Sequence, residues 1–386
     1  MTVFKSLSAD DKVSTKTLLH EAIPITGTIL SGTYGEHGSE GNIQNFTHGM
    51  FQSVHDYPYL SSSANHIFDI TFGTSDDSVL EVTNQAAKKD NIYNQLAQVL
   101  MGYNKDGGIQ KFDSDGDLAS GGTKINEAIF LSFSRLLVKD EIKKGSFELE
   151  LGVSGAYNKS KEFDKRIKIV DQDAATSYKV NSPAGEYGIL YATQSAAPAS
   201  VNLLDITQHT HTASLSDGNI YWRAGLIFYQ AGIAVLTSSV LCTTGAAGGF
   251  GFLTDVDDFV SDNSRLQFES DGTTLTGSLI AQSISGSADE FRHRIYNLQF
   301  NNTIELNSTV YFCRAKHNEF NYSSNPTYLT GSQIRVKNET TDVPISYITS
   351  IGLYSADNQL IAVGKFSEPI RKDNNIELTF RARLDY

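Results

Sequence analysis

A mainly β chain (β-rich α+β), made of antiparallel sheets and hairpins with one or two helices in its N-terminal part, is predicted by three observations. Apolar side chains recur at every second position through much of the sequence, as in strands that turn one face to a core. Between those runs stand Asp217-Gly218, Asp271-Gly272, Asn301-Asn302 and Asp357-Asn358, pairs that tolerate the positive φ angles of tight hairpins. Proline is scarce, with 7 against 31 Gly, while 18 Tyr and 21 Phe supply the aromatic side chains that suit strands.

A helix is predicted near residues 84–101. Ile92, Leu96, Val99 and Leu100 fall at i, i+4, i+7 and i+8, one apolar stripe, with Lys88, Asn91, Gln95 and Gln98 opposite. Gly102 suits a left-handed C-cap, and the stripe is expected to pack on the chain's own sheet. Over Ser134 to Lys144 a second helix competes with strand continuation from Ile129, Leu131 and Phe133. Phe147, Leu149, Leu151 and Val153 then alternate with Glu148, Glu150 and Gly152, as a half-solvated strand does. Further strands are expected at Arg166–Val170, Tyr187–Tyr191, Asn219–Tyr229, Ile233–Thr237, Arg265–Phe268 and Thr303–Leu306. Val310–Arg314, Gln333–Val336, Ile348–Leu353, Leu360–Val363 and Ile376–Leu384 complete the set, the last three as a C-terminal meander.

At 386 residues the chain has room for two or three domains. The small, uncharged run Ser195–Ser200 places a seam near residue 200, giving a β-rich domain 1–200 that carries the helix and an all-β domain 201–386. The glycine loop Thr243–Phe250 and the polar stretch Ser261–Ser287 suggest a sub-boundary near 255.

Charge and composition exclude several classes. Lys and Arg number 31 against 44 Asp and Glu, a net charge of -13, which repels phosphate backbones and leaves no domain-wide basic surface for nucleic acid. With 40% hydrophobic residues the chain should fold. Residues 1–11 lack the apolar region of a secretory signal, so the protein is expected to begin in a cytoplasm. The uncharged stretch Ala224–Thr254 is broken by Gln230, Thr237, Gly245 and other small or polar residues, so no membrane span is expected. Cys242 and Cys313 fit buried reduced thiols better than a disulfide framework.

Candidate chemistry is sparse. Asp113, Asp115 and Asp117 open like a calcium loop, but the sixth and twelfth positions hold Leu118 and Lys124 where Gly and Glu belong, so a solvated turn is favoured. Asp255, Asp257 and Asp258 read the same way. His209 and His211 alternate as on one strand face, and three chains meeting on an axis would bring six imidazoles to one metal; an exposed loop is favoured. The other histidines stand in no zinc spacing, and there is no nucleophile elbow or phosphate loop. Glu148 and Glu150 are read as solvated charges rather than a glycosidase pair. No catalytic, cofactor-binding or metal residue is therefore assigned, and an enzyme is not expected.

Five stretches carry a resemblance. FKSLSADDKVSTKTLLHEAIPITGTI (Phe4 to Ile29), FTHGMFQSVHDYPYLSSSANHIFDITFG (Phe46 to Gly73) and FLSFSRLLVKDEIKKGSFELELG (Phe130 to Gly152) are similar to structural virion proteins of T4-like marine cyanophages. NEFNYSSNPTYL (Asn318 to Leu329) and the segment Ile348 to Tyr386 resemble phage tail and baseplate chains. The resemblance implies a structural component of a phage particle, in the tail, neck or baseplate, assembled in the host cytoplasm. It implies other virion subunits as partners, with homo-oligomerisation. The competing readings are a fibre or adhesin that stacks a host-surface glycan on exposed Trp222 and tyrosines, and, more remotely, a cell-wall glycoside hydrolase. The aromatic group Phe51, His55, Tyr57, Tyr59 and Phe68 is read as core in preference to interface. On the last strand Glu377, Thr379, Arg381 and Arg383 share a face that is expected to meet an acidic surface of its own chain or of a neighbouring subunit.

Overall fold

The computed structural model describes residues 4–24, 40–60, 64–78, 84–119, 121, 123–134, 137, 141–154, 165–196, 211–241, 266–268, 273–275, 282–323, 329–330, 333–334, 339 and 341–385. The chain is mainly β. Its strands run β1 (Lys12–Pro24), β2 (Ile43–Asn45), β3 (Gln52–His55) and β4 (His66–Thr74), followed by helix α1 (Ala86–Leu100). Next come β5 (Glu127–Ser132), β6 (Glu141–Ile142), β7 (Glu148–Ser154), β8 (Lys165–Val170), a single helical turn α2 (Ala174–Ser177) and β9 (Tyr187–Ala196). The second half holds β10 (Thr212–Ser214), β11 (Ile220–Phe228), β12 (Ile233–Thr237), β13 (Leu266–Phe268), β14 (Thr273–Leu275), helix α3 (Ile284–Arg294) and the long β15 (Ile295–Ala315). β16 (Leu329–Thr330), β17 (Gln333–Ile334), β18 (Ser346–Tyr354), β19 (Leu360–Lys372) and β20 (Leu378–Asp385) close the chain.

Two compact units result, one of Met1–Leu19 with Glu305–Tyr386, the other of His20–Ile304. This division differs from seams at 200 and 255. β9 and β11 lie on either side of residue 200 and pair antiparallel, from Trp222↔Ala192 to Phe228↔Tyr187, so that position falls within one sheet. The rest of both seams, within residues 197–210 and 242–265, lies outside the described residues.

The larger unit is a sheet ordered β15-β7-β8-β9-β11-β12-β5-β4-β3-β2, with β10 added to β11 and β6 to β15. Both faces are covered, which explains why β5 is buried at every position from Glu127 to Leu131 rather than at every second one. Ile129 and Leu131 point into one cluster with Phe68, Phe133, Ile227 and Leu298. Ala128 and Phe130 point into the other with Ile92, Tyr93, Phe112 and Phe228. Helix α1 supplies that second layer. It comes so close that a Cβ on Gly73 of β4 would lie 2.8 Å from the Tyr93 backbone nitrogen.

The helix buries Lys89, Ile92, Tyr93, Ala97 and Leu100. Lys88, Asn91, Gln95 and Gln98 are exposed as expected, but Val99 is 64% exposed because the buried stripe is centred on Tyr93 and Ala97. Gly102 caps the end at φ +77, as its position predicts. β7 keeps its expected alternation, with Phe147, Leu149, Leu151 and Val153 buried. Over 134–144 the described residues form no helix, and Glu141–Ile142 is a short strand.

Two elements depart from the sequence reading. Asn301-Asn302 is not a turn: β15 runs straight through, with Asn302 paired to Ile142 of β6. Asparagine tolerates a positive φ without requiring one, and strand partners before and after it hold the chain extended. Helix α3 is an unexpected helix in the C-terminal half, capped by the Ser283 hydroxyl, which accepts the Gly286 N–H at 3.2 Å.

The smaller unit is built differently. β20 pairs with the end of β15, from Ser308↔Asp385 to Ala315↔Leu378, and β1 lies on the other side of β15. β18 and β19 form a separate hairpin whose turn places Asn358 at φ +60. The expected three-strand meander is therefore corrected, because β20 hydrogen-bonds to β15, while its Phe380 packs beside Phe366 of β19, ring centroids 4.9 Å apart. Along β20 the residues Glu377, Thr379, Arg381 and Arg383 are exposed and alternate with half-buried Leu378, Phe380, Ala382 and Leu384, as read from the sequence. None of the described helices is long and apolar enough to cross a membrane.

Candidate functional site

The smaller unit has almost no apolar interior. Among its described residues only Val310 and Ala315 are buried hydrophobics. Polar contacts hold it instead. Lys372, fully buried, donates to Asn321 Oδ1 at 2.6 Å and to the carbonyls of Asp373 (2.7 Å) and His317 (3.3 Å). Arg314 Nε lies 2.9 Å from Asp11 Oδ1, and Lys5 Nζ 2.5 Å from Glu319 Oε2. Most of the large apolar side chains left exposed among the described residues lie in this unit although it is the smaller one. Leu360, Ile361 and Val363 of β19 are 54%, 65% and 60% exposed, and Tyr347 and Tyr354 of β18 are exposed as well. A two-stranded ribbon on its own is marginal in water. Exposed apolar side chains on a two-stranded sheet are features that interaction surfaces share.

The residues singled out in the sequence are distributed otherwise. Trp222 is 1% exposed and stacks on His211, with ring centroids 6.1 Å apart at 15°. It is therefore not a surface platform for a sugar. The reason is its strand: Trp222 faces the core of β11, where Ala224 and Ile227 are also buried. His209 lies outside the described residues; His211 precedes β10, where burial, then Arg223, lowers its pKa. Glu148 pairs with Lys168 Nζ at 2.8 Å, and Glu150 accepts the Ser195 hydroxyl at 2.9 Å, so both are engaged across strands. The aromatic group divides: Phe68 is core, whereas Tyr57 is 52% exposed. Cys313 is half-buried and free, and Cys242 lies outside the described residues.

Asp113 is not in a solvated turn. It is fully buried, with Oδ2 accepting the Leu118 N–H and Lys124 Nζ, each at 2.8 Å. A cleft of about 740 Å³ runs beside this loop, lined by Asp106, Lys111, Lys124 and His211 among others. Two of its lysines are spent on carboxylates: Lys111 lies 2.5 Å from both Asp76 and Asp77, and Lys124 binds Asp113.

Sequence reading missed a buried polar cluster on α3. Arg292 Nη2 and His293 Nε2 both lie 3.0 Å from Glu40 Oε1, and Gln52 Nε2 donates to Asp289 Oδ1 at 2.7 Å. Burial pushes Glu40 toward the neutral form, but the His293 hydrogen bond and Arg292 prevail and hold it down at about 2. Glu290, where burial prevails, is pushed up to about 8. Lys89, pushed down to about 8 by burial, reaches the Gln282 carbonyl at 2.7 Å. These groups fix α3 on the sheet and face inward. The available signal was Ser283 before an Arg-His-Arg last turn, an N-cap with a cationic C-terminus.

Fold and surface thus define an antiparallel, mainly β protein with a nearly coreless second unit. No family model matches the chain, and neither a curated protein nor a solved structure matches it.

Proposed function

We propose that this protein is a structural subunit of a bacteriophage particle, in the tail or baseplate, acting through contacts with other virion subunits and with copies of itself. The observation that supports this most is the smaller unit's lack of an apolar core beside the exposed β18–β19 ribbon. Burying apolar surface stabilises at roughly 25 cal/mol per Å². A unit that leaves this surface in water gains that stabilisation when a neighbour covers it, by packing on the ribbon or by adding a strand to its edge. The resemblance of the Phe4, Phe46, Phe130 and Ile348 stretches to virion chains supplies the setting. Quantitative mass spectrometry of purified virions should find the chain at a fixed stoichiometry; its absence from intact particles would sink the proposal. The glycan-adhesin reading loses its main support, since the single Trp is buried.

A further inference from the structure

β18 pairs with β19 alone among the described strands, which leaves its outer edge open. An open edge is a template for another strand, and folded chains blunt theirs with shortness, charge, bulges or proline. The other edge strands among the described residues are each blunted in this way. β2, β6, β10, β13, β14, β16 and β17 are only two or three residues long. β1 carries Lys12 and Lys16, β20 carries Arg381 and Arg383, and β19 carries Lys365 and Pro369. Both register shifts in the hairpin, between Ile348 and Ser350 and between Leu353 and Tyr354, put their extra residues into β19 and leave β18 regular. β18 has none of these devices. Its nine residues include no charge and no proline, and Tyr347, Thr349, Ser350, Gly352 and Tyr354 are exposed. The strand is held at its ends, where the Ser346 hydroxyl donates to the Phe320 carbonyl and Tyr354 meets Phe4 with ring centroids 4.7 Å apart.

We propose that this edge takes β18 of a second copy of the chain, added antiparallel about a two-fold axis, so that two hairpins become one four-stranded sheet. Three arguments choose that occupant. Among the described strands, another β18 is the long edge that arrives without charge, bulge or proline of its own. The charge of the chain is also unevenly divided. In the smaller unit 12 Lys and Arg stand against 11 Asp and Glu, which leaves 19 against 33, a net of -14, in the larger. Copies that meet through their smaller units bring near-neutral surfaces together, whereas contact between two larger units sets like charge against like. Finally, a lone two-stranded ribbon is marginal and a sheet of three or more strands is not, so the pairing supplies what each hairpin lacks. With the axis at Ser350, Tyr347 of each copy stands opposite Leu353 of the other, and no charge faces a charge. The inference rests on the structural-subunit reading and deepens it by naming one of its contacts.

Sedimentation velocity of the full chain over a concentration series should show the 42.2 kDa monomer in equilibrium with a dimer. Thr349 is exposed and, across the axis, lies diagonally beside its counterpart. Thr349→Lys and Thr349→Glu, each alone, should keep the wild-type circular dichroism and weaken dimerisation by about tenfold or more. Mixing the two variants should restore the dimer, which follows from a two-fold contact and not from a folding defect. In the wild type, hydrogen exchange at β18 amides should slow as concentration rises. A chain that stays monomeric up to about 100 μM would overturn the inference. So would a dimer that each variant forms as well as the wild type does, or β18 exchange that ignores concentration. A β18 dimer of a chain absent from purified virions would keep the pairing and remove the subunit reading; a monomeric chain present in virions would do the reverse.

Discussion

Asp171 Oδ2 accepts the N–H of Gly145 at 2.6 Å, while its Oδ1 takes the Phe147 N–H at 3.0 Å, closing the turn between β6 and β7 where Gly145 stands at φ +77. Burial pushes the Asp171 carboxyl up to about 7, against the pull of these two amides. With a folded pKa above the unfolded 3.8, the native state keeps a proton that the unfolded chain has released. Its contribution to stability is therefore full below about pH 4 and lost as the pH rises to about 7, on the order of 4 kcal/mol. Asp171→Asn stays neutral and gives up one amide acceptor. Urea unfolding at pH 4, 5.5 and 7 should show the wild type losing stability relative to the variant as pH rises; parallel profiles would falsify the assignment.

Trp222, the single tryptophan, reports on His211 through their stacking at 6.1 Å. Its emission should be that of a buried indole and should be quenched as His211 takes a proton. Burial and then Arg223 lower the His211 pKa, so the midpoint should fall below 6.5. The neutral ring's contribution to stability is present above pH 6.5 and is lost as pH falls through the folded value. Fluorescence titration of the wild type and of His211→Gln checks this, and an acid quench that persists in the variant would assign it to another group.

The sequence revealed the strands and α1 because their burial follows a simple period. Phe147, Leu149, Leu151 and Val153 are all core, as alternation requires. Where both faces of an element are covered, or the buried face is polar, that signal fails. β5 is buried on both sides, and α3 turns Glu290, Arg292, His293 and Arg294 inward, so no apolar stripe marks it. Trp222 was legible as a strand residue but not as a buried one, since sidedness depends on what covers the sheet. The Asp113 loop was legible as a cluster only; the burial of Asp113 and the approach of Tyr187 come from residues far away in the chain.

Gly225 of β11 pairs with Leu236 of β12. A Cβ there would lie 2.0 Å from the Val235 carbonyl oxygen and 2.9 Å from the Leu236 Cα, beside the register shift that β11 makes with β9 between Arg223 and Gly225. Backbone atoms in the middle of a sheet cannot swing aside as a flexible side chain does. Gly225→Ala should destabilise the larger unit by about 3 kcal/mol or more. Denaturant midpoints measure it, and a loss under about 1 kcal/mol would show that the two strands can part there.

Ile361 and Val363 of β19 are both exposed. Replacing both with Lys should leave the isolated chain's stability within about 0.5 kcal/mol, since neither belongs to a core. On the proposed virion reading, self-association, read by sedimentation velocity, and incorporation into particles should both fall sharply. Unchanged assembly would move the contact away from the ribbon.

Arg381 and Arg383 share the outer face of β20, but they do not have the same neighbours. Arg383 Nε lies 2.8 Å from Asp385 Oδ1, and Nη2 lies 3.0 Å from the Ser308 hydroxyl, so its guanidinium has acidic and polar partners within its own chain. Arg381 sits opposite Phe312 of β15 and is exposed. Arg383 thus has an acidic partner, Asp385, on its own strand, and on the proposed virion reading Arg381 is the residue that would orient a contact with another subunit. Charges at the rim of an interface act on the rate and register of association more than on its affinity. Arg383→Glu should weaken the packing of β20 on β15, because it repels Asp385 and leaves the Ser308 hydroxyl without its guanidinium. Arg381→Glu should leave the fold unchanged and slow incorporation into particles, with the effect fading as salt is raised. Equal incorporation rates for wild type and Arg381→Glu at low salt would confine the cationic face to its own chain.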